Sequence, residues 1–356
     1  MRTHMNHIHP ILALSLIPAS IACNHVHAQP SDFEPIHERR SAADTSPLAG
    51  FAVMEEGQWN LGSIHADTWH WGPGRYSIRS HTVGADGDGN PWREMAIYYW
   101  HPGLEQIRVI SLHPDIPAIG RGIAEGSVEF DGQTFTGRVD LYQTGRPKPV
   151  HRRLAHHWTF DGPDRYHEKL LENAGRGYET LVEWDYVRSE KQARKPTLPE
   201  GDAPLPSANL KPLVPLLGSW VVRPAEVDER ETAAQLHFEW AEYLDLIMVR
   251  LETADAKASA NSFCDVYLYH HVGTNTLRCL ALTRSGGVYE GELKLLPDGA
   301  LETELKHSES GASNRCFARL DFEDDGSLRV RMWTEADGER LLAHDVRARR
   351  TDAPSE

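Results

Sequence analysis

An all-β fold of two tandem antiparallel up-and-down β-barrels is what the 356-residue sequence predicts. Three observations lead there: one stretch occurs twice, apolar and polar residues alternate along short runs, and turn-forming pairs recur at hairpin spacing. The first copy runs from Gly57-Gln58-Trp59 through Trp69-His70-Trp71 and Ile97-Tyr98-Tyr99-Trp100-His101-Pro102-Gly103 to a last segment at 179–188. The second runs from Gly218-Ser219-Trp220 through Phe238-Glu239-Trp240 and Tyr267-Leu268-Tyr269-His270-His271-Val272-Gly273 to a last segment at 339–350. A unit of roughly 140 residues is far longer than a solenoid repeat, so each copy reads as a domain.

The elements follow in order. Residues 1–28 read as a secretory signal peptide: Arg2 lies in the n-region, Ile11 to Ala22 is apolar, and Val26-His27-Ala28 offers a small-residue cleavage site before Gln29. Cleavage before Cys23, giving a lipoprotein, is the alternative. Either way the protein is expected to be exported, periplasmic or extracellular. The apolar run is too short to span a bilayer, and no later segment is long and apolar enough. Most histidines of this leader (His4, His7, His9, His25, His27) leave with it, and they have no fixed scaffold, so they are not expected to bind metal. Residues 29–47 are polar and form an expected disordered lead-in.

The first barrel is expected over 48–188. Runs such as Tyr76-Ser77-Ile78-Arg79 and Ser127-Val128-Glu129-Phe130 alternate, as strands with one buried face do. Asp86-Gly87, Asp88-Gly89, Asp131-Gly132 and Asp161-Gly162 supply the positive φ that tight hairpins require. Residues 189–210 turn charged and then proline-rich, with Pro196, Pro199, Pro204 and Pro206, and read as a semi-stiff linker. The second barrel is expected over 211–350, with turns at Asp298-Gly299, Asp325-Gly326 and Asp337-Gly338, before a tail at 351–356. Eight to ten strands per unit favour closure, which removes sheet edges. A barrel of that size holds either packed side chains or one small ligand.

With 40% hydrophobic and 25% charged residues, the composition is that of an ordinary globular protein. A net charge of −15 argues against a nucleic-acid partner, whose binding needs clustered Lys and Arg. Beyond Cys23 only Cys264, Cys279 and Cys316 remain, at no zinc spacing and with no bridge expected.

Gly-x-Trp at the head of each copy resembles the signature of the calycins, the lipocalin and fatty-acid-binding-protein barrels. In that superfamily the Trp closes one barrel end and an Arg of the last strand lies over it. The resemblance implies Trp59 with Arg188 in the first copy, and Trp220 with Arg347 or Arg349 in the second. The fuller pattern, with Trp69-His70-Trp71-Gly72-Pro73-Gly74, Tyr99-Trp100-His101-Pro102-Gly103 and Leu181-Val182-Glu183-Trp184, is similar to bacterial lipocalin-like domains of unknown function. Those domains are in turn similar to nitrobindin, whose barrel binds haem through one His. The resemblance therefore implies calycin-like barrels. It makes His344 the residue a haem would need. His344 is matched with Trp184 of the first copy and set on one face with Leu342 and Val346.

No cofactor is otherwise expected, no metal site, and no catalytic residue: nucleophile elbows, phosphate loops and His-Glu-x-x-His are missing from the sequence. Glu183 and Asp185 share a strand face, matched with Ala343 and Asp345, and alternating acids of this kind are read as solvated. The adjacent pairs His156-His157 and His270-His271 point to opposite sheet faces, so neither pair chelates one ion, and each is read as satisfied or at the surface. Trp71, Tyr98, Trp100, Trp240 and His344 are the candidate ligand-binding residues; the alternative is that the aromatics fill the core. The expected function is a non-catalytic, exported protein that binds a small apolar or amphipathic molecule in a barrel cavity. The alternatives are a haem-binding or barrel-type enzyme (isomerase, decarboxylase or peroxide chemistry) using His344, and a structural envelope protein whose partners meet apolar surface between the barrels.

Overall fold

The computed structural model describes residues 46–351, except 56, 63–64, 86–90, 117–119, 144–149, 190–207, 225–233, 242–245, 253–261, 310–311 and 337. The expected signal peptide, most of the lead-in and the Asp86-Gly87 and Asp88-Gly89 turns lie outside the described residues.

Alternation becomes two closed antiparallel barrels of ten strands each. The first comprises β1 (Gln58–Leu61), β2 (His65–Trp71), β3 (Ser77–Ala85), β4 (Pro91–His101), β5 (Gln106–Ile116), β6 (Gly120–Phe130), β7 (Thr134–Gln143), β8 (Val150–Phe160), β9 (Arg165–Asn173) and β10 (Tyr178–Ser189). The second comprises β11 (Gly218–Pro224), β12 (Ala234–Trp240), β13 (Leu246–Glu252), β14 (Cys264–His271), β15 (Thr276–Thr283), β16 (Val288–Leu295), β17 (Leu301–Glu309), β18 (Ala312–Phe322), β19 (Leu328–Ala336) and β20 (Glu339–Arg350). Neighbours in sequence pair in space, and β1 with β10 and β11 with β20 close the rings. The expected Asp-Gly turns form where described: Gly132 and Gly299 sit at φ 102° and 85°. In both turns the Asp carboxylate accepts a backbone N–H two residues on. Among the described residues no helix is long and apolar enough to cross a membrane.

One end of each barrel is closed alike. A 3-10 helix, Ala49–Met54 or Ala208–Leu216, precedes the first strand and buries Phe51 and Met54, or Leu210, Leu213 and Leu216. Residues 208–210 thus belong to this helix and not to the linker. The indole N–H of Trp59 donates to Met54 O and that of Trp220 to Leu216 O. Over each indole lies a guanidinium, Arg188 at 4.6 Å and Arg350 at 4.9 Å from the ring centroid.

Arg350, and neither Arg347 nor Arg349, covers Trp220, because the register pairs Trp220 with Arg350 as it pairs Trp59 with Arg188. Arg347 instead makes an ion pair with Glu323 on the outer surface. The same register corrects the match of His344: Trp184 corresponds to Val346, and His344 to Val182. Each last strand carries a bulge, skipping Leu181 in one barrel and Ala343 in the other. The bulge turns Leu342 outward, so it does not share a face with His344. Likewise Asp345 corresponds to Glu183, and Arg347 to Asp185.

The two barrels share a third apolar cluster besides their own interiors. Ile97, Tyr99 and Ile110 of the first pack with Tyr267, Tyr269 and Leu280 of the second, all buried. The polar contacts across it are reciprocal. His101 Nε2 lies 3.1 Å from Glu290, and His271 Nε2 lies 3.3 Å from Glu125. His101 and His271 hold equivalent places, as do Glu125 and Glu290, which pair with Ile110 and Leu280. In each case a turn N–H, of Leu104 or Thr274, donates to the ring Nδ1, leaving an Nε2–H to donate to the carboxylate. Contacts in which each half offers the same patch to the other are those of a two-fold dimer, here within one chain.

Candidate functional site

Inward positions of a barrel recur at every second residue, so the alternation that builds the wall also decides what faces the interior. In the first barrel the inward residues beyond the helix plug mix polar with apolar side chains. They surround a cavity of about 270 Å³. Its wall takes His65, Asp67 and Trp69 from β2, Ser80 and Thr82 from β3, Glu94 and Tyr98 from β4, Ser111 and His113 from β5, His156 and Trp158 from β8, Tyr166 and Glu168 from β9, and Trp184 and Tyr186 from β10.

Three carboxylates are each set beside an imidazole. His65 Nε2 lies 2.7 Å from Asp67, His156 Nδ1 lies 3.0 Å from Glu168, and His113 Nδ1 lies 3.6 Å from Glu94. Tyr166 OH donates to Asp67 at 3.3 Å, and Ser111 Oγ donates to Glu94 at 2.5 Å. Tyr186 OH lies 3.3 Å from the same ring nitrogen of His65, and its ring stacks on Tyr166 with centroids 4.5 Å apart. Burial alone would lower the pKa of His65, but the Asp67 charge and hydrogen bond outweigh it, so the net shift is upward. His113 goes the other way: burial lowers it despite Glu94. Burial raises Tyr98, Tyr166 and Tyr186 well above the ordinary phenol value, so all three are neutral donors. Among the described residues no group of three or more His, Cys, Asp and Glu is arranged to hold a metal ion.

The second barrel shows what the same scaffold looks like without this lining. Stepping strand by strand from the Trp59 and Trp220 pairs, Asp67 is matched by Leu236, His65 by Ala234 and Glu94 by Cys264. Continuing round, His113 is matched by Thr283, His156 by Ala318 and Glu168 by Val330. Tyr166 and Tyr186 are matched by Leu328 and Ala348. What remains is a cavity of about 140 Å³ walled by residues such as Leu236, Val249, Leu268, Leu305 and Met332. The thiols of Cys264 and Cys279 are buried there and unbridged, burial holding Cys279 up at about 12.

Of the ligand-binding candidates from sequence, Tyr98 alone lines either barrel cavity. Trp71 and Trp100 pack against the first core, Trp71 beneath the Arg75 guanidinium at 5.0 Å, and Trp240 packs against the second core. His344 is half-buried opposite Met332 and lines neither cavity. The second cavity has room for about five water molecules. Glu183 and Asp185 face outward, bonded to Lys169 and His167. His156 is satisfied, bonded to Glu168 inside the cavity, while His157 lies on the other face.

Sequence reasoning missed His65, Asp67, Glu94, His113, His156 and Glu168. The signal available was polar residues at inward phase in one copy where the other copy has apolar ones. No protein-family model matches the chain, and no curated protein matches it.

Proposed function

We propose that the first barrel binds a small amphipathic molecule and that the second is its structural partner. The contrast between the copies carries this reading. The second barrel closes and packs with an apolar interior, so the fold itself has no need of three carboxylates and three imidazoles. Burying such groups is costly unless they are paired. Their retention around one cavity is the pattern of a binding site, in which an apolar wall carries a few placed polar groups. The volume corresponds to about nine water molecules, a guest of about ten non-hydrogen atoms.

The indole–guanidinium pair at the first strand of both barrels supports grouping them with calycin-like, lipocalin-like domains. The leader at 1–28 supports export to the periplasm or beyond, through plain secretion or through Cys23. The reading includes no reaction. His344 does not reach the cavity the enzymatic alternative would need, and the apolar face between the barrels is already used within the chain.

The test is a ligand-observed NMR screen of small aryl-alkyl compounds against the full chain. It is repeated on a triple variant carrying the second copy's residues, His65→Ala, Asp67→Leu and Glu168→Val. Circular dichroism checks that the variant is folded. Binding by the parent and its loss in the folded variant are expected. No binding by the parent, or undiminished binding by the variant, would overturn the proposal.

A further inference from the structure

The geometry points to an organic cation, a molecule with an ammonium group on a short apolar body, as the guest of the first barrel. This rests on the binding reading above and adds the ligand's chemical class. Asp67, Glu94 and Glu168 all line the cavity, and among the described residues no Lys or Arg does. Arg152 on β8 is held by Glu172 with two hydrogen bonds at 2.6 and 2.8 Å. Three imidazoles face three carboxylates, and burial lowers the pKa of His113, so its ring adds no positive charge near neutral pH.

A second observation is independent of the acids. His113 is only 4% exposed, and its Nδ1 has no hydrogen-bond partner, Glu94 standing at 3.6 Å. A buried ring nitrogen left open in a cavity wall calls for a hydrogen-bond partner from the guest. An ammonium N–H supplies one. Part of the wall is aromatic: Trp69, Trp158 and Tyr98 lie in mutual contact, with centroid separations of 5.4 to 6.2 Å. Indole and phenol faces attract cations, and carboxylates give charge-assisted hydrogen bonds to them. A neutral guest would use the aromatic surface and make no charge-assisted bond to the carboxylates. An anion would be repelled.

Isothermal titration of the full chain with three matched probes tests this: 2-phenylethylammonium, 2-phenylethanol and 3-phenylpropionate. The ammonium is expected to bind about tenfold or more tighter than the alcohol, and the carboxylate not at all. Glu94→Gln is expected to weaken the ammonium by about fivefold while leaving the alcohol within about twofold. Glu168→Gln serves in the same way if the first variant does not fold. Equal binding of ammonium and alcohol, preference for the carboxylate, or insensitivity to both substitutions overturns the cation assignment and leaves the cavity as a binding site. Binding of none of the three overturns it too, and the wider screen described above then decides whether the binding reading falls with it.

Discussion

Replacing Arg79 by Met measures how strongly the two barrels are locked together. Arg79 on β3 and Met248 on β13 hold equivalent positions and touch each other across the shared face, so they lie on its pseudo-two-fold axis. The Arg79 guanidinium lies 3.8 Å from Asp265 of the other barrel, whose carboxylate is buried and also receives Ser262 Oγ and Tyr267 OH. At an effective dielectric constant of about 20, unit charges at that separation interact by about 4 kcal/mol. Removing one partner of a buried pair typically costs about 3–5 kcal/mol, because the other charge is left without compensation. Arg79 keeps some solvent contact and Met is well accommodated beside Met248, so a loss of about 3 kcal/mol at pH 7 is expected.

The pH dependence carries a definite sign. Burial raises the Asp265 pKa above its ordinary value, even though Arg79 pulls it down. A carboxyl raised in this way contributes stability that is full below its unfolded pKa and is lost as pH rises through its folded one. Without Arg79 the folded value rises further, so Arg79→Met and the parent should differ little near pH 4 and diverge towards pH 7. Adding Asp265→Asn should recover most of the difference. Urea unfolding followed by circular dichroism at the two pH values gives the numbers. A loss below about 1 kcal/mol at pH 7, or one that does not change with pH, refutes the argument.

Two further outcomes are expected. Arg350→Ala removes both the guanidinium over Trp220 and its 2.6 Å hydrogen bond to Pro215 O, and should cost about 1–3 kcal/mol in urea unfolding. Arg347→Ala, which removes only a surface ion pair, should cost under about 0.5 kcal/mol; the reverse order would reject the register at the barrel closure. His113 is neutral in the fold because burial lowers it, so its stabilising effect is full above its unfolded pKa, near 6.5, and is lost as pH falls below that. His113→Gln should therefore lose less stability than the parent between pH 7 and pH 5, by at most about 1.4 kcal/mol per pH unit. Parallel pH profiles of parent and variant would show that His113 is not held neutral.

The repeat and the alternation were enough to specify two closed barrels, because both follow from strand geometry and need no knowledge of contacts. The same alternation explains where sequence reasoning slipped. Matching the last strands two residues out of step puts His344 where Val346 belongs and Ala348 where Arg350 belongs, which leaves Arg347 and Arg349, on either side of Ala348, as the arginines for Trp220. A slip of two leaves every inward residue inward, so periodicity could not detect it; the bulges that skip Leu181 and Ala343 made the two copies harder to align. The cavity was hidden for a different reason. His65, Asp67, Glu94 and Glu168 lie at inward phase, but an isolated acid or His on a strand reads as solvent-facing, and attention went to the aromatics. Trp71, Trp100 and Trp240 are inward too, yet they sit against the cores and not in the cavities. Comparing the two copies position by position, with the register fixed by Trp59–Arg188 and Trp220–Arg350, would have exposed the polar set.

That comparison also says how one chain tolerates the polar interior. The first barrel exchanges much of its inner apolar surface for ionisable groups, and each carboxylate needs a donor close by to remain there. Asp67 has His65 and Tyr166, Glu168 has His156, and Glu94 has Ser111 with His113 beyond. Apolar burial given up inside is partly restored outside, where Met95, Ile97, Tyr99, Ile110 and Leu112 are covered by the second barrel. The second barrel keeps an apolar interior and offers the same outer face in return. On this view the duplication separates two demands that conflict in a single small barrel: one copy carries the binding groups, and its twin supplies part of the packing that lets it do so.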